Sequence, residues 1–238
     1  ARHLRSIQEK NSIDATILNG ENSSNQGRGL TPQIAQEYFD LGVNVITTGN
    51  HVWFRRDIYP MLEGCSELLR PANFPSGAPG VGVTTISVKG HTVGIINLQG
   101  RIFMKELVEC PLRTADSLIS YLKDKTNIIC IDFHAEATSE KEAMAFYVAG
   151  RASAVVGTHT HVQTADERVI PPGTAYISDL GMVGSLNSML GMQKEAIIQN
   201  FLTQVPVKFT VDYQPPYVLS GVIVEIDCST GKALNINR

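Results

Sequence analysis

The 238-residue chain predicts one α/β domain holding two sheets, and three observations carry that reading. Short apolar runs, each bounded by turn residues, recur along the whole length. A strand–helix–strand spacing across residues 15–48 marks a parallel βαβ unit. Two further runs meet at Lys89-Gly90-His91, which reads as a hairpin, so parallel and antiparallel pairing both occur.

The elements follow in order. Residues 1–10 read as helix, with Leu4 and Ile7 on one face among charges. Residues 15–19 and 43–48 are strands. Between them, residues 31–41 fit a helix with Thr31 as N-cap and Pro32 at its first position. Residues 71–82 form a Pro/Gly-rich loop, too short for a domain linker. Strands at 81–88 and 92–98 make the hairpin. Strands at 127–133 and 153–157 flank a helix at 139–148, and runs at 175–180, 207–211 and 218–226 complete a β-rich C-terminal half. His3 in the first helix and His91 in the hairpin turn read as solvated.

Composition bounds the function. Lys and Arg total 20 against 23 Asp and Glu, a net charge of −3, with 43% hydrophobic and 18% charged residues. This excludes a disordered chain, a collagen-like chain and a broad nucleic-acid-binding surface. Chemistry at a single phosphate needs no such surface. No apolar run approaches the ~18 residues of a membrane span, and no signal segment opens the chain. Cys65, Cys110, Cys130 and Cys228 are scattered without a C-x-x-C pair, so they are expected to be reduced and buried, in a cytoplasmic protein.

The polar residues cluster where apolar runs end: Gly20-Glu21-Asn22, Gly49-Asn50-His51, Asp132-Phe133-His134-Ala135-Glu136 and Gly157-Thr158-His159-Thr160-His161. Loops at the carboxyl ends of strands share one edge of an α/β sheet, and that edge binds ligands. In extended backbone, His159 and His161 point the same way. An isolated His-x-His is more often two surface histidines, but four of the six histidines here fall at strand ends. Imidazole with carboxylate suits zinc, iron or manganese. Glu21 either caps the loop at 23–29 or bridges two cations, which an imidazole nitrogen cannot do. Asn50 is a turn former or a neutral oxygen ligand. His51 beside it is a core histidine or a proton donor, and His134 a ligand or a carbonyl-bonded strand-end histidine. Glu136 reads as an exposed acid, or else as a partner orienting a ligand histidine. With no G-x-G-x-x-G, Walker sequence or G-x-S-x-G present, metal-assisted hydrolysis remains.

These same motifs resemble those of the calcineurin-like metallophosphoesterases, and more narrowly the YmdB-like branch of bacterial 2′,3′-cyclic-nucleotide phosphodiesterases. Stretches 47–53, 69–75, 132–141, 155–168 and 173–182 are all similar to that branch, so the likeness covers nearly the whole chain. It implies a two-sheet β-sandwich flanked by helices, in four αββα layers, as a single domain over residues 1–238. It also implies two divalent or mixed-valence metal ions, iron or manganese first and zinc also accepted. By motif, Glu21 matches the bridging ligand, and Asn22 and His161 match ligands of the first metal. Asn50, His134 and His159 match the second, and His51 matches the proton donor. A small-molecule nucleotide substrate, no membrane and a possible homo-oligomer follow from the same likeness. The family opens with a strand ending in Gly-Asp, whose aspartate binds the first metal. Nothing precedes the helix at 1–10 here, so the natural protein is expected to start earlier.

The implied reaction is hydrolysis of a phosphodiester by a metal-activated water, with His51 protonating the leaving oxygen. Its rivals are a phosphomonoesterase or protein phosphatase of the same fold, a metal amidohydrolase barrel, and a non-catalytic regulator binding metal or nucleotide.

Overall fold

A computed structural model describes residues 2–238. Helix α1 (Arg2–Lys10) leads into β1 (Ile17–Asn19), α2 (Pro32–Asp40) and β2 (Val45–Thr47). The βαβ spacing gives the expected parallel pair, Ile17 opposite Val45 and Asn19 opposite Thr47. Thr31 caps α2, its hydroxyl accepting from the Ile34 N–H, and Pro32 opens the helix. A single 3-10 turn and α3 (Tyr59–Gly64) follow.

The hairpin is β3 (Val83–Val88) and β4 (His91–Gln99). Lys89 and Gly90 both have positive φ, the two-residue turn that suits strand twist. His91 is therefore the first residue of β4 and not a turn residue, although it is exposed as expected. Next come α4 (Pro111–Leu122), β5 (Ile128–His134), α5 (Thr138–Tyr147), β6 (Ala154–Thr158), β7 (Arg168–Ile170) and β8 (Thr174–Ile177). Six strands form one sheet in the order β3-β4-β5-β6-β8-β7, with β4, β5, β6 and β8 parallel and an antiparallel strand at each edge.

Side-chain alternation sorts this sheet into two faces. Ile96 and Leu98 on β4, Ile129, Ile131 and Phe133 on β5, and Val155 on β6 pack against Ala115, Ile119 and Leu122 of α4 and Met144 and Ala145 of α5. On the other face, Ile95 meets Val45 of β2 and Leu69. The segment at 68–69 extends the β1–β2 pair through a parallel bridge from Leu68 to Ile46. The same face also packs Ala154, Ala175 and Ile177 against a hairpin of β11 (Ile223–Ile226) and β12 (Ala233–Asn237). Beyond β1 and β2, a second core joins Leu18 and Ile46 to Leu4, Ala35 and Leu62 from α1, α2 and α3. Helices, sheet, strands and helices thus stack in the layers of the expected sandwich.

The structure departs from the sequence reading in places with identifiable causes. Residues 207–211 form no strand; Val211 makes only an isolated bridge to Met192, and Val205 and Phe209 are exposed. The run at 218–226 splits: β10 (Tyr217–Leu219) pairs with β9 (Val183–Ser185), whereas β11 pairs with β12. Gly221 lies in the break, where the chain changes partner. Helix α4 is an addition to that reading, although Pro111 stands at its first position and Leu112, Ala115, Leu118, Ile119 and Leu122 have helical spacing. Helix α6 (Lys194–Thr203) is a second addition, in the C-terminal half. All four cysteines are free, but Cys228 is exposed and the other three are only half-buried. Among the described residues, no helix is long and apolar enough to cross a membrane.

Gly157 marks the tightest packing between β6 and its neighbour. A Cβ there would stand 1.7 Å from the Ser178 carbonyl oxygen, whereas one at Gly184 would meet open space. Gly157→Ala should therefore lower stability by about 3 kcal/mol or more, the upper range for overpacking. Gly184→Ala should stay within about 0.5 kcal/mol. Urea unfolding of the two variants checks the difference.

Candidate active site

Four strand ends converge. Glu21 and Asn22 follow β1, Asn50 and His51 follow β2, His134 closes β5, and His159 and His161 follow β6. The approach is close: a Cβ on Gly49 would lie 2.2 Å from the His134 ring, so glycine is what lets β2 reach β5 here. All seven residues singled out in the sequence meet in one cluster.

Glu21 forms its floor. The side chain is buried, and its two oxygens accept the backbone N–H groups of Gly49 and His51. Burial pushes its carboxyl up to about 8, against the pull of those two donors. One oxygen lies 3.3 Å from His51 Nδ1 and 3.8 Å from His134 Nε2.

Hydrogen-bond partners fix which ring nitrogens carry protons. Thr158 Oγ1 donates to Asp132 Oδ1 at 2.7 Å, so it must accept from His134 Nδ1 at 3.0 Å. That leaves a lone pair on His134 Nε2, which faces Asn50 Oδ1 at 3.0 Å and His159 Nδ1 at 3.1 Å. His159 Nε2 donates to Glu136 at 2.9 Å, which leaves its Nδ1 as a lone pair too. Three acceptors therefore face one another with no proton between them. A similar pair forms opposite. His161 Nδ1 donates to the Leu190 carbonyl at 3.0 Å, leaving Nε2 unprotonated. Turned so that its nitrogen donates to Gly27 O and His51 Nδ1, the Asn22 amide sets its oxygen 3.0 Å from His161 Nε2, a contact that is a hydrogen bond only when that nitrogen carries a second ring proton.

Such acceptor pairs repel unless a cation lies between them. Bonds of about 2.1 Å to a metal place octahedral neighbours about 3.0 Å apart and tetrahedral ones about 3.4 Å apart, and these contacts fall in that span. The donor set fits metal ions. Among the described residues, no three His, Cys, Asp or Glu side chains are grouped so as to make a metal cage by themselves.

Burial pushes three of these histidines, His134, His159 and His51, toward the neutral form. His134 is held well below the usual imidazole range by burial first, then by the neighbouring His159 and Lys141. His159 is lowered by burial against the opposing pull of Glu136. His51 is lowered by burial and then by Arg28, whose guanidinium stands over the Phe54 ring at 5.9 Å.

Other residues complete the site. Asp132 accepts from Asn19 of β1 at 2.9 Å and from Thr47 of β2, besides Thr158. Alternation two residues before His134 was a sequence signal for Asp132. Glu136, read as an exposed acid, is exposed but pairs with His159. Lys141 and Asp179 form a fully buried ion pair, and Asp179 accepts from the Thr160 N–H between the two loop histidines. Asp179 follows β8 as the other acids follow their strands; Lys141 gave no signal, because a helical lysine reads as solvated. Two open surface clefts, one along α2–α3 and one beside the start of α4, are lined by no histidine.

The YmdB-like protein family model matches residues 1–238. The chain is 50% identical over 223 residues to the 2′,3′-cyclic-nucleotide 2′-phosphodiesterase of Bacillus subtilis, covering 94% of this chain and 83% of that protein. A crystal structure of a novel phosphatase from Mycoplasma pneumoniae superposes with a TM-score of 0.90 at 31% identity, covering 99% of this chain and 85% of that one. A hypothetical protein from Thermus thermophilus gives 0.88 at 35%, covering 98% and 89%.

The Thr158 hydroxyl is testable apart from any activity. Thr158→Val strips one donor from buried Asp132 and the acceptor from His134, and should cost about 1–3 kcal/mol. Thr158→Ser keeps the hydroxyl and should recover most of that loss in urea unfolding.

Proposed function

The chain belongs to the YmdB-like protein family, and on that premise we propose that its site hydrolyses phosphodiesters, 2′,3′-cyclic nucleotides first among them, at two metal ions. It is a phosphoesterase, and phosphoesterases of this fold generally use divalent metals. The observation that supports the finer reading is the meeting of three unprotonated acceptors, Asn50 Oδ1, His134 Nε2 and His159 Nδ1, beside the Glu21 carboxylate.

In this reading Asn50, His134 and His159 would hold one ion and Asn22 and His161 the other, with Glu21 available to both. The mixed oxygen and imidazole set suits iron or manganese, and zinc also. The ions supply Lewis-acid stabilisation of phosphate charge and an activated water. His51 supplies the proton. Asn22 donates to its Nδ1, so the ring hydrogen sits on Nε2, free to pass to the leaving ribose oxygen. Asn50 and Glu21 are held rigidly by β1 and β2, which keeps the donors aimed without reorganisation during the reaction. A cyclic phosphate suits such a site because its leaving alkoxide stays tethered and needs only one well-placed acid. The four free thiols fit a reducing compartment, and we place the enzyme in the cytoplasm.

Replacing His51 separates its role from the ligands'. His51→Ala should cut turnover of 2′,3′-cyclic nucleotides by about 10²–10⁴ while metal content stays near that of the parent. Steady-state assays with elemental analysis of both proteins check this. Loss of metal in the variant would make His51 a ligand, and a parent protein inert toward every 2′,3′-cyclic nucleotide with iron, manganese or zinc would overturn the substrate.

A further inference from the structure

His159 and His161 share an unusual backbone. Their φ angles are +111° and +66°, in the region that side chains other than glycine seldom adopt. Two such residues flanking a single residue, Thr160, stay put only where the surroundings over-determine them. The Glu136 and Leu190 contacts hold the imidazoles but not the peptide between them.

What holds the peptide is Asp179. Its Oδ2 accepts the Thr160 N–H at 2.9 Å and the Lys141 ammonium at 2.8 Å, and its Oδ1 accepts the Gly181 N–H at 2.9 Å. The Asp179 backbone is pinned in turn: its N–H donates to Thr164 Oγ1 at 3.0 Å, and its carbonyl accepts the Thr164 N–H at 3.1 Å. Both charged side chains are 1% exposed. Lys141 reaches Asp179 across Gly157, where a Cβ would meet the lysine's Cδ at 2.9 Å. A buried pair of opposite charges is weak support for stability as such, since desolvation offsets the attraction. This pair instead sits directly under the loop that carries the two positive-φ histidines.

We propose that Asp179 is a positioning residue for the metal site, its carboxylate balanced by Lys141 and holding the Thr160 N–H so that His159 and His161 keep their positive-φ conformations and face the cluster. Neither residue touches a reacting atom; both act through the two histidines. The claim about metal rests on the phosphoesterase reading above, whereas the claim about the loop does not.

The test uses the full chain with two variants, Asp179→Ala and the double variant Lys141→Met with Asp179→Asn, which removes both charges but keeps an oxygen for Thr160. Amide hydrogen exchange at Thr160 in metal-free protein reads the anchor directly. Titration with Co²⁺, followed by its visible spectrum, reads the geometry of the histidines. Asp179→Ala should lose protection at Thr160 and bind Co²⁺ on the order of 10–100-fold more weakly, with an altered spectrum. The double variant should keep both close to the parent's. A pair that only fills space would lower the thermal midpoint and leave Thr160 exchange and the Co²⁺ spectrum unchanged, which overturns the proposal. If Asp179→Ala does not fold, the double variant decides: folded, yet stripped of Thr160 protection, it overturns the anchor. A parent protein that takes up no Co²⁺ overturns the metal reading, and the exchange data still judge the loop.

Discussion

Asp132 accepts hydrogen bonds from three strands at once: Asn19 on β1, Thr47 on β2 and Thr158 on β6, with Asp132 itself on β5. Two of those strands belong to one layer of the sandwich and two to the other. A buried carboxylate is costly without partners, and burial does raise its pKa against the three donors. Hydrogen bonds to a charged group contribute about 1.5–3 kcal/mol each, which offsets part of that cost and fixes the spacing of the layers at this point. A short step further along, each of these strands releases a site residue or its loop. The geometry of the cluster is inherited from the carboxylate beneath it.

Above that pin, the structure accumulates features that stability alone would remove. Acceptors face acceptors at 3.0–3.1 Å, a carboxyl is buried beside imidazoles, and two loop histidines sit at positive φ. Backbone strain of this kind costs of order 1–3 kcal/mol per residue. Rules of local consistency fail together at one place, and such concentrations mark functional sites. The same strain is absent from the α4–α5 face of the main sheet, where the core is aliphatic and aromatic throughout.

The strand-end histidines, Glu21 and the asparagines were legible because their types are rare in apolar runs and their loops share an edge. Thr31 and Pro32 announced α2 for local reasons that packing had no cause to override. Lys141 was illegible. Its burial depends on Asp179, 38 residues away, and on a glycine in a third element, and no local pattern encodes that meeting. The C-terminal half was legible only in outline, because β9 and β10 are three residues each and owe their pairing to tertiary contact. Residues 207–211 show the converse: alternating apolar residues make a strand only where an edge is available to pair with.

Exposure grades the cluster from floor to mouth. The His134 and Glu21 side chains are 1% and 4% exposed, whereas His159 and His51 are 23% and 29%. His134 is deepest, where desolvation disfavours the charged ring, whereas His159 keeps its free Nδ1 at a depth close to that of His51. His51 stands at the more exposed side of the cluster, beside exposed Phe54 and Arg28. In the role proposed for it, an acid in that position would have its proton replaced from solvent after each turnover. A buried histidine could give up a proton but not regain one from solvent. Depth therefore sets His134 apart from the two half-buried histidines, and the partner of each ring, Glu136 for His159 and Asn22 for His51, separates those two.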